Sequence, residues 1–278
     1  MWRAMGRALK EADPVHLITY HPFGRTQSSL WFHNEGWLDF NMFQSGHRRY
    51  DQDTESGAKG EDNWRYVAED YAKAPVKPTL DGEPSYEKIP LGLHDVTQPY
   101  WTDADARRYA YWSVFAGAFG HTYGNNAVQR MYKPGGGQGV FGPKNYWFEA
   151  LDDPGAGQMQ YLKRLILSRP FLERIPDQSV IAGENGVRYD YVIATRGNAY
   201  LFAYSYTGRS FDIRMGVISG KRVRAWWYDP RAGSARQIGA FANQGVKTFT
   251  PPGEPGAGND WVLVLDDDSK RFTVPGAR

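Results

Sequence analysis

The hydrophobic punctuation of this chain changes near Arg169-Pro170, and that change limits the fold more than any single motif does. Before it, short apolar runs alternate with stretches of helical periodicity. Strands are expected over 16–21, 37–43 and 75–80, with a fourth opening at Phe119. Helices are expected over 2–12, near 63–73, over 103–118 and over 155–168. Strand–helix alternation is the pattern of a parallel α/β architecture. After the change, eight short strands are expected, over 189–195, 199–204, 211–215, 222–228, 235–240, 246–250, 261–266 and 271–274. Gly, Asn, Asp and Pro separate them at about 8–12-residue spacing, as in an antiparallel sandwich.

The first part has a second regularity. Each expected strand ends in polar side chains: His21, then Asn41 with Gln44 and His47, then Glu83, then Tyr123 with Asn125 and Asn126. In (β/α) barrels the chemistry lies at the C-terminal ends of the strands. Glu83 leads the candidates, in the run Asp81-Gly-Glu-Pro-Ser-Tyr-Glu87. Gly82 lets a ligand approach closely, and Pro84 fixes the exit of the chain. A carboxylate there can attack an anomeric carbon or stabilise an oxocarbenium-like centre. The plain alternative is a loop carboxylate paired with a nearby Arg or Tyr. Glu87 is expected to support the site by binding a substrate hydroxyl. Aromatic residues make up 15% of the chain, which suits sugar rings with apolar faces and polar rims. Trp31, in a polar loop at this end, is a candidate platform, whereas Trp112 in the long helix reads as core.

Other chemistries fall away. Net charge is +2 with scattered basic residues, so neither nucleic acid nor an anionic membrane is an expected partner. Without cysteine there is no thiolate catalysis and no zinc–thiolate site. The histidine spacing matches no metal-ligand pattern, and no cofactor motif is present. No run approaches the ~20 apolar residues of a membrane span, and residues 1–10 read as an amphipathic helix, not a signal peptide. Localisation stays undetermined.

The runs Leu17-Ile-Thr-Tyr-His-Pro-Phe-Gly-Arg, Ser28-Ser-Leu-Trp-Phe-His, Trp37-Leu-Asp-Phe-Asn-Met-Phe-Gln-Ser-Gly-His and Lys77-Pro-Thr-Leu-Asp-Gly-Glu-Pro-Ser-Tyr-Glu together resemble the apiosidase-like glycoside hydrolases. That resemblance implies a (β/α)₈ barrel followed by a β-sandwich termed a collagen-binding domain, which residues 182–274 resemble. It implies a carboxylate pair at the ends of barrel strands four and seven, and export of the parent enzymes to the periplasm or outside. With the four strands counted as five to eight, Glu83 falls at strand seven, the nucleophile position.

The expected fold is therefore α/β plus all-β: a partial (β/α) TIM-type barrel over 1–172, then an antiparallel sandwich over 173–278. The expected function is cleavage of O-glycosidic bonds in a plant or bacterial polysaccharide. His21, Asn41, Gln44, His47, Glu87, Tyr123 and Trp31 would bind the sugar. The acid/base half of the barrel is expected to be missing, with an upstream barrel half on another chain as a candidate partner, which would leave Glu83 alone a poor catalyst. The rival reading is a non-catalytic carbohydrate-binding or structural module.

Overall fold

The computed structural model describes residues 1–277. In chain order its elements begin with α1 (Trp2–Ala12), β1 (Thr26–Gln27), α2 (Ser29–Phe32), β2 (Asn41–Gln44), α3 (Trp64–Tyr71), β3 (Thr79–Asp81), α4 (Asp103–Phe115) and β4 (Gly120–His121). They continue with α5 (Asn126–Gln129), α6 (Trp147–Ala150) and α7 (Pro154–Leu167). Nine strands follow: β5 (Ile175–Pro176), β6 (Ile181–Ala182), β7 (Ile193–Arg196), β8 (Tyr200–Ser205), β9 (Phe211–Arg214), β10 (Arg222–Asp229), β11 (Ser234–Ala242), β12 (Val246–Phe249) and β13 (Trp261–Asp267). The chain forms two compact units. One comprises Met1–Thr102 with Gly117–Leu151; the other comprises Asp103–Ala116 with the chain from Asp152 onward.

The first unit carries a four-stranded sheet in the order β1-β2-β3-β4. β2, β3 and β4 run parallel, and β1 pairs antiparallel with β2. Alternation along β2 sends Asn41 and Phe43 to one face, where Phe43 stacks on Tyr66 of α3 with ring centroids 5.2 Å apart. Met42 and Gln44 take the other face. The segment expected as the first strand, 16–21, joins no ladder. Its groups are held one by one instead. Ile18 N–H donates to the Asp39 carboxylate (2.7 Å), Asp39 N–H donates to Ile18 C=O (2.9 Å), and Thr19 Oγ1 donates to Phe40 C=O (2.7 Å).

Asp70 anchors α3 to three neighbouring segments. Its carboxylate accepts from Gln27 Nε2 (2.9 Å), Ser29 Oγ (2.5 Å) and Thr79 Oγ1 (2.8 Å), all buried. Removing an acceptor strands its donors, at ~1–3 kcal/mol for a buried group. Asp70→Ala is therefore expected to destabilise the first unit by at least ~2 kcal/mol, read as a lower midpoint in urea. An unchanged midpoint would contradict this account.

The second unit is a sandwich with a helical cover. Six strands lie in the order β11-β10-β13-β8-β7-β5 and three in the order β12-β9-β6, every pairing antiparallel. One apolar core joins Leu201, Ala203, Val223, Ala225, Trp227, Leu263 and Leu265 of the larger sheet to Ile181, Phe211, Ile213 and Phe249 of the smaller. All six residues of β8 are buried, so its second face needs a cover as well. α4 supplies it: Tyr111 stacks on Tyr204 with centroids 4.7 Å apart, and Phe115 on Phe202 at 6.0 Å. α4 and α7 thus cluster with the sandwich, and the compact units divide the chain elsewhere than at residue 172. The strand expected over 271–274 does not form. β13 ends at Asp267, whose side chain accepts from Ser269 N–H, and Arg271 turns the chain in the left-handed region at φ +53°.

Candidate active site

Glu83 follows β3, and the neighbouring strand ends fix its backbone. Gly82 N–H donates to Phe43 C=O (2.9 Å), Gly46 N–H donates to Glu83 C=O (3.2 Å), and Thr122 Oγ1 donates to Gly82 C=O (2.7 Å). Ser85 Oγ closes the turn onto Gly46 C=O at 2.7 Å. Gly82 packs tightly: a Cβ there would lie 1.7 Å from Met42 Cε, and the Met42 side chain would have to shift. Asp81, beside it, accepts from Ser45 Oγ (2.9 Å) and Asn63 Nδ2 (3.0 Å) and so ties the loop to the start of α3.

Two imidazoles meet the carboxylate. His47 Nε2 lies 3.2 Å from Glu83 Oε1, and His21 Nε2 lies 3.1 Å from Oε2. The His47 side chain is 8% exposed, the Glu83 side chain 22% and the His21 side chain 45%, so His21 closes the open side. Burial pushes the Glu83 carboxyl up. The hydrogen bond and charge of His47, the charge of His21 and a hydrogen bond from the Tyr86 hydroxyl outweigh that push, and the carboxyl is held below its ordinary value. Burial and the adjacent Glu83 anion raise the Tyr86 phenol to about 12, so it remains a donor at neutral pH.

A sign follows for pH. A carboxyl depressed by folding contributes stability above its unfolded-state value of ~4.3, and that stability is lost as pH falls through the lower folded-state value. Glu83 is expected to titrate below 4.5 in a ¹³C carboxyl NMR titration of the folded chain. A midpoint above that value would overturn the electrostatic account.

The other candidates separate into groups. Glu87 is buried and accepts from Tyr123 Oη at 2.5 Å, while Asn125 Nδ2 reaches Tyr123 Oη at 3.4 Å. Glu87 and Tyr123 therefore join each other, linking the loops after β3 and β4. Asn41 is fully buried with its amide against His33 Nδ1 (3.2 Å), on the strand face opposite Met42 and Gln44. Gln44 shares the Met42 face and packs beside Gly24. Trp31 leans on Phe23 with centroids 5.7 Å apart and lines a cavity of about 440 Å³ with Trp2, Tyr20 and Phe32. It takes no part in the cluster around Glu83. Tyr86, three residues beyond Glu83, was not foreseen as a site residue. Among the described residues, no three His, Asp or Glu side chains gather where a metal ion could be held.

The model of a family described as "Apiosidase-like, catalytic domain" matches residues 1–173, and that of a "Putative collagen-binding domain of a collagenase" matches residues 175–266. A solved structure titled "Glycoside hydrolase" is similar at TM-score 0.94 and 53% identity, over 98% of this chain and 62% of that protein. A structure from Bacteroides vulgatus ATCC 8482, described as a glycoside hydrolase family 5 protein, gives TM-score 0.94 and 51% identity, over 98% of this chain and 59% of that one. Another glycoside hydrolase structure from the same organism is 13% identical at TM-score 0.60 and shares the fold alone. The chain thus spans 62% and 59% of the length of the first two. No curated protein matches it.

Proposed function

The chain belongs to the apiosidase-like family of glycoside hydrolases, and from that premise we propose that Glu83 is the nucleophile of a retaining glycosidase. One oxygen of the carboxylate attacks the anomeric carbon as the bond to the leaving oxygen breaks, giving a glycosyl ester that water then hydrolyses. The observation that carries this reading is the carboxylate itself, which stands at the end of a parallel strand and is kept ionised by His47, His21 and Tyr86. His21 and Gln44 offer hydrogen bonds to sugar hydroxyls. Asn41, Glu87 and Tyr123 act behind them, holding the loops in place.

On this reading the segment at 17–21 together with β2, β3 and β4 corresponds to about strands five to eight of a (β/α)₈ barrel. Residues 1–172 make up that half and residues 173–278 the sandwich. On this reading the general acid that protonates the leaving group comes from a part of the fold other than these strands. A departing fluoride or dinitrophenolate needs no such proton, so the nucleophile can be tested in this chain directly. A panel of 2-deoxy-2-fluoroglycosyl fluorides is expected to yield a covalent adduct that peptide mass mapping places on Glu83. An adduct on another carboxylate would refute the assignment. Sugar binding without any adduct would favour a binding module.

A further inference from the structure

The two histidines at Glu83 differ in what their second nitrogens do. His47 Nδ1 faces the backbone N–H of Tyr86 at 3.4 Å. A ring that accepts at Nδ1 carries its proton on Nε2, which here points at Glu83 Oε1. His21 Nδ1 lies 2.8 Å from the Pro22 carbonyl oxygen, which can only accept. His21 Nδ1 therefore carries a proton. Its Nε2 lies 3.1 Å from Glu83 Oε2, at ion-pair distance. One arm of the carboxylate thus has a fixed donor, and the other faces the more exposed imidazole of His21.

Tyr86 is common to both the fixed donor and the carboxylate. Its hydroxyl hydrogen-bonds Glu83, its N–H meets His47, and its ring stands edge-on to the His47 ring with centroids 4.7 Å apart. The ring has little room to move, because a Cβ on Gly124 would come within 2.0 Å of it. We propose that Tyr86 is a positioning residue that sets the proton arrangement at Glu83. Its N–H fixes His47 as the Nε2–H tautomer, and its hydroxyl donates to the carboxylate. The inference rests on reading Glu83 as the nucleophile, since it says which carboxylate oxygen is held and which is open to substrate. The titratable and charged groups facing this cluster are His21 ahead of β1, His47 after β2, and Tyr86 in the loop of Glu83 itself. Arg130, after α5, acts on Tyr86.

The test is NMR on the whole folded chain, with ¹⁵N-labelled imidazoles and ¹³C-labelled glutamate carboxyls. In the parent chain His47 is expected as the Nε2–H tautomer at neutral pH. Tyr86→Phe keeps the backbone N–H, so the tautomer should persist while the Glu83 midpoint rises. Gly124→Ala, which displaces the whole tyrosine, should lose the tautomer preference as well. A His47 proton on Nδ1 in the parent chain, or an unmoved Glu83 midpoint in Tyr86→Phe, overturns the proposal. Neither readout needs turnover. A chain that still forms the covalent adduct after Glu83→Gln would sink the nucleophile reading and leave these shifts standing.

Discussion

Glu83→Gln is expected to lower turnover of an activated glycoside by at least ~10³-fold, a loss of ~4 kcal/mol in transition-state stabilisation. The amide matches the carboxylate in shape, and its carbonyl oxygen can still accept from His47 Nε2, 3.2 Å away in the parent chain. Folding should therefore survive, and the loss can be read as chemistry. What the amide lacks is the negative charge that forms the bond to the anomeric carbon. A second variant separates nucleophile from acid. Glu83→Ala opens space, and added azide should enter in place of the carboxylate to give a glycosyl azide of inverted configuration. An azide of retained configuration would mean that Glu83 is the proton donor instead. Unchanged turnover in Glu83→Gln would remove it from the chemistry altogether.

The second large effect is expected far along the chain from Glu83, at Arg107 on α4. Its guanidinium makes a paired contact with Asp260, Nε to Oδ2 at 2.8 Å and Nη2 to Oδ1 at 2.9 Å. Nη1 adds Asp103 and Gln158, each at 2.6 Å. Tyr204 Oη donates to Asp260 Oδ2 at 3.2 Å. Arg107 is 2% exposed and Asp260 0%, so neither charge can fall back on water. Removing one partner leaves the other buried and unpaired, at ~3–5 kcal/mol. Arg107→Met should thus lower the melting temperature of the second unit by about 10 °C. Arg107→Met combined with Asp260→Leu should recover much of that loss, because the desolvation cost disappears with both charges. Additive losses in the double variant would show that the pair contributes net stability of its own.

The elements most legible in the sequence are those whose side chains face a large apolar neighbour. β8, β10 and β13 lie within a residue or two of their expected limits, because each sends Leu, Val, Ala or Trp into the sandwich core at period two. α4 was legible as a helix, but not the side it would serve. Ala, Tyr and Trp recur along one face, but residues 106–115 are all buried, Arg107 and Arg108 among them, so the pattern did not say which neighbour that face would meet. The expected strand over 16–21 failed for a local reason: the Asp39 side chain takes the Ile18 N–H that a ladder would have used. β5 and β6, two residues each, carry too little pattern to be read at all.

At the site, Glu83, His21 and His47 were legible as polar residues at or just beyond strand ends, and the structure brings all three together. Asn41 carries the same signal but points the other way. The nearby Phe43 holds the clue, since it must face α3 and Asn41 shares its parity. Tyr86 gave no signal, because three residues past a Gly-Glu-Pro turn no period says where a side chain will point.

The allegiance of α4 has a consequence for synthesis on the ribosome. The helix emerges well before the strands it will cover, with about 150 residues between Phe115 and the end of β13 at Asp267. At translation rates of ~5–20 residues per second, that gap lasts roughly 8–30 s. Until then Tyr111 and Phe115 lack the finished sheet that will cover them, and Arg107 lacks Asp260. The nascent chain therefore carries a sticky, charged segment whose partner has not yet been made. α4 thus belongs by sequence position to the part before residue 172 and by packing to the part after it.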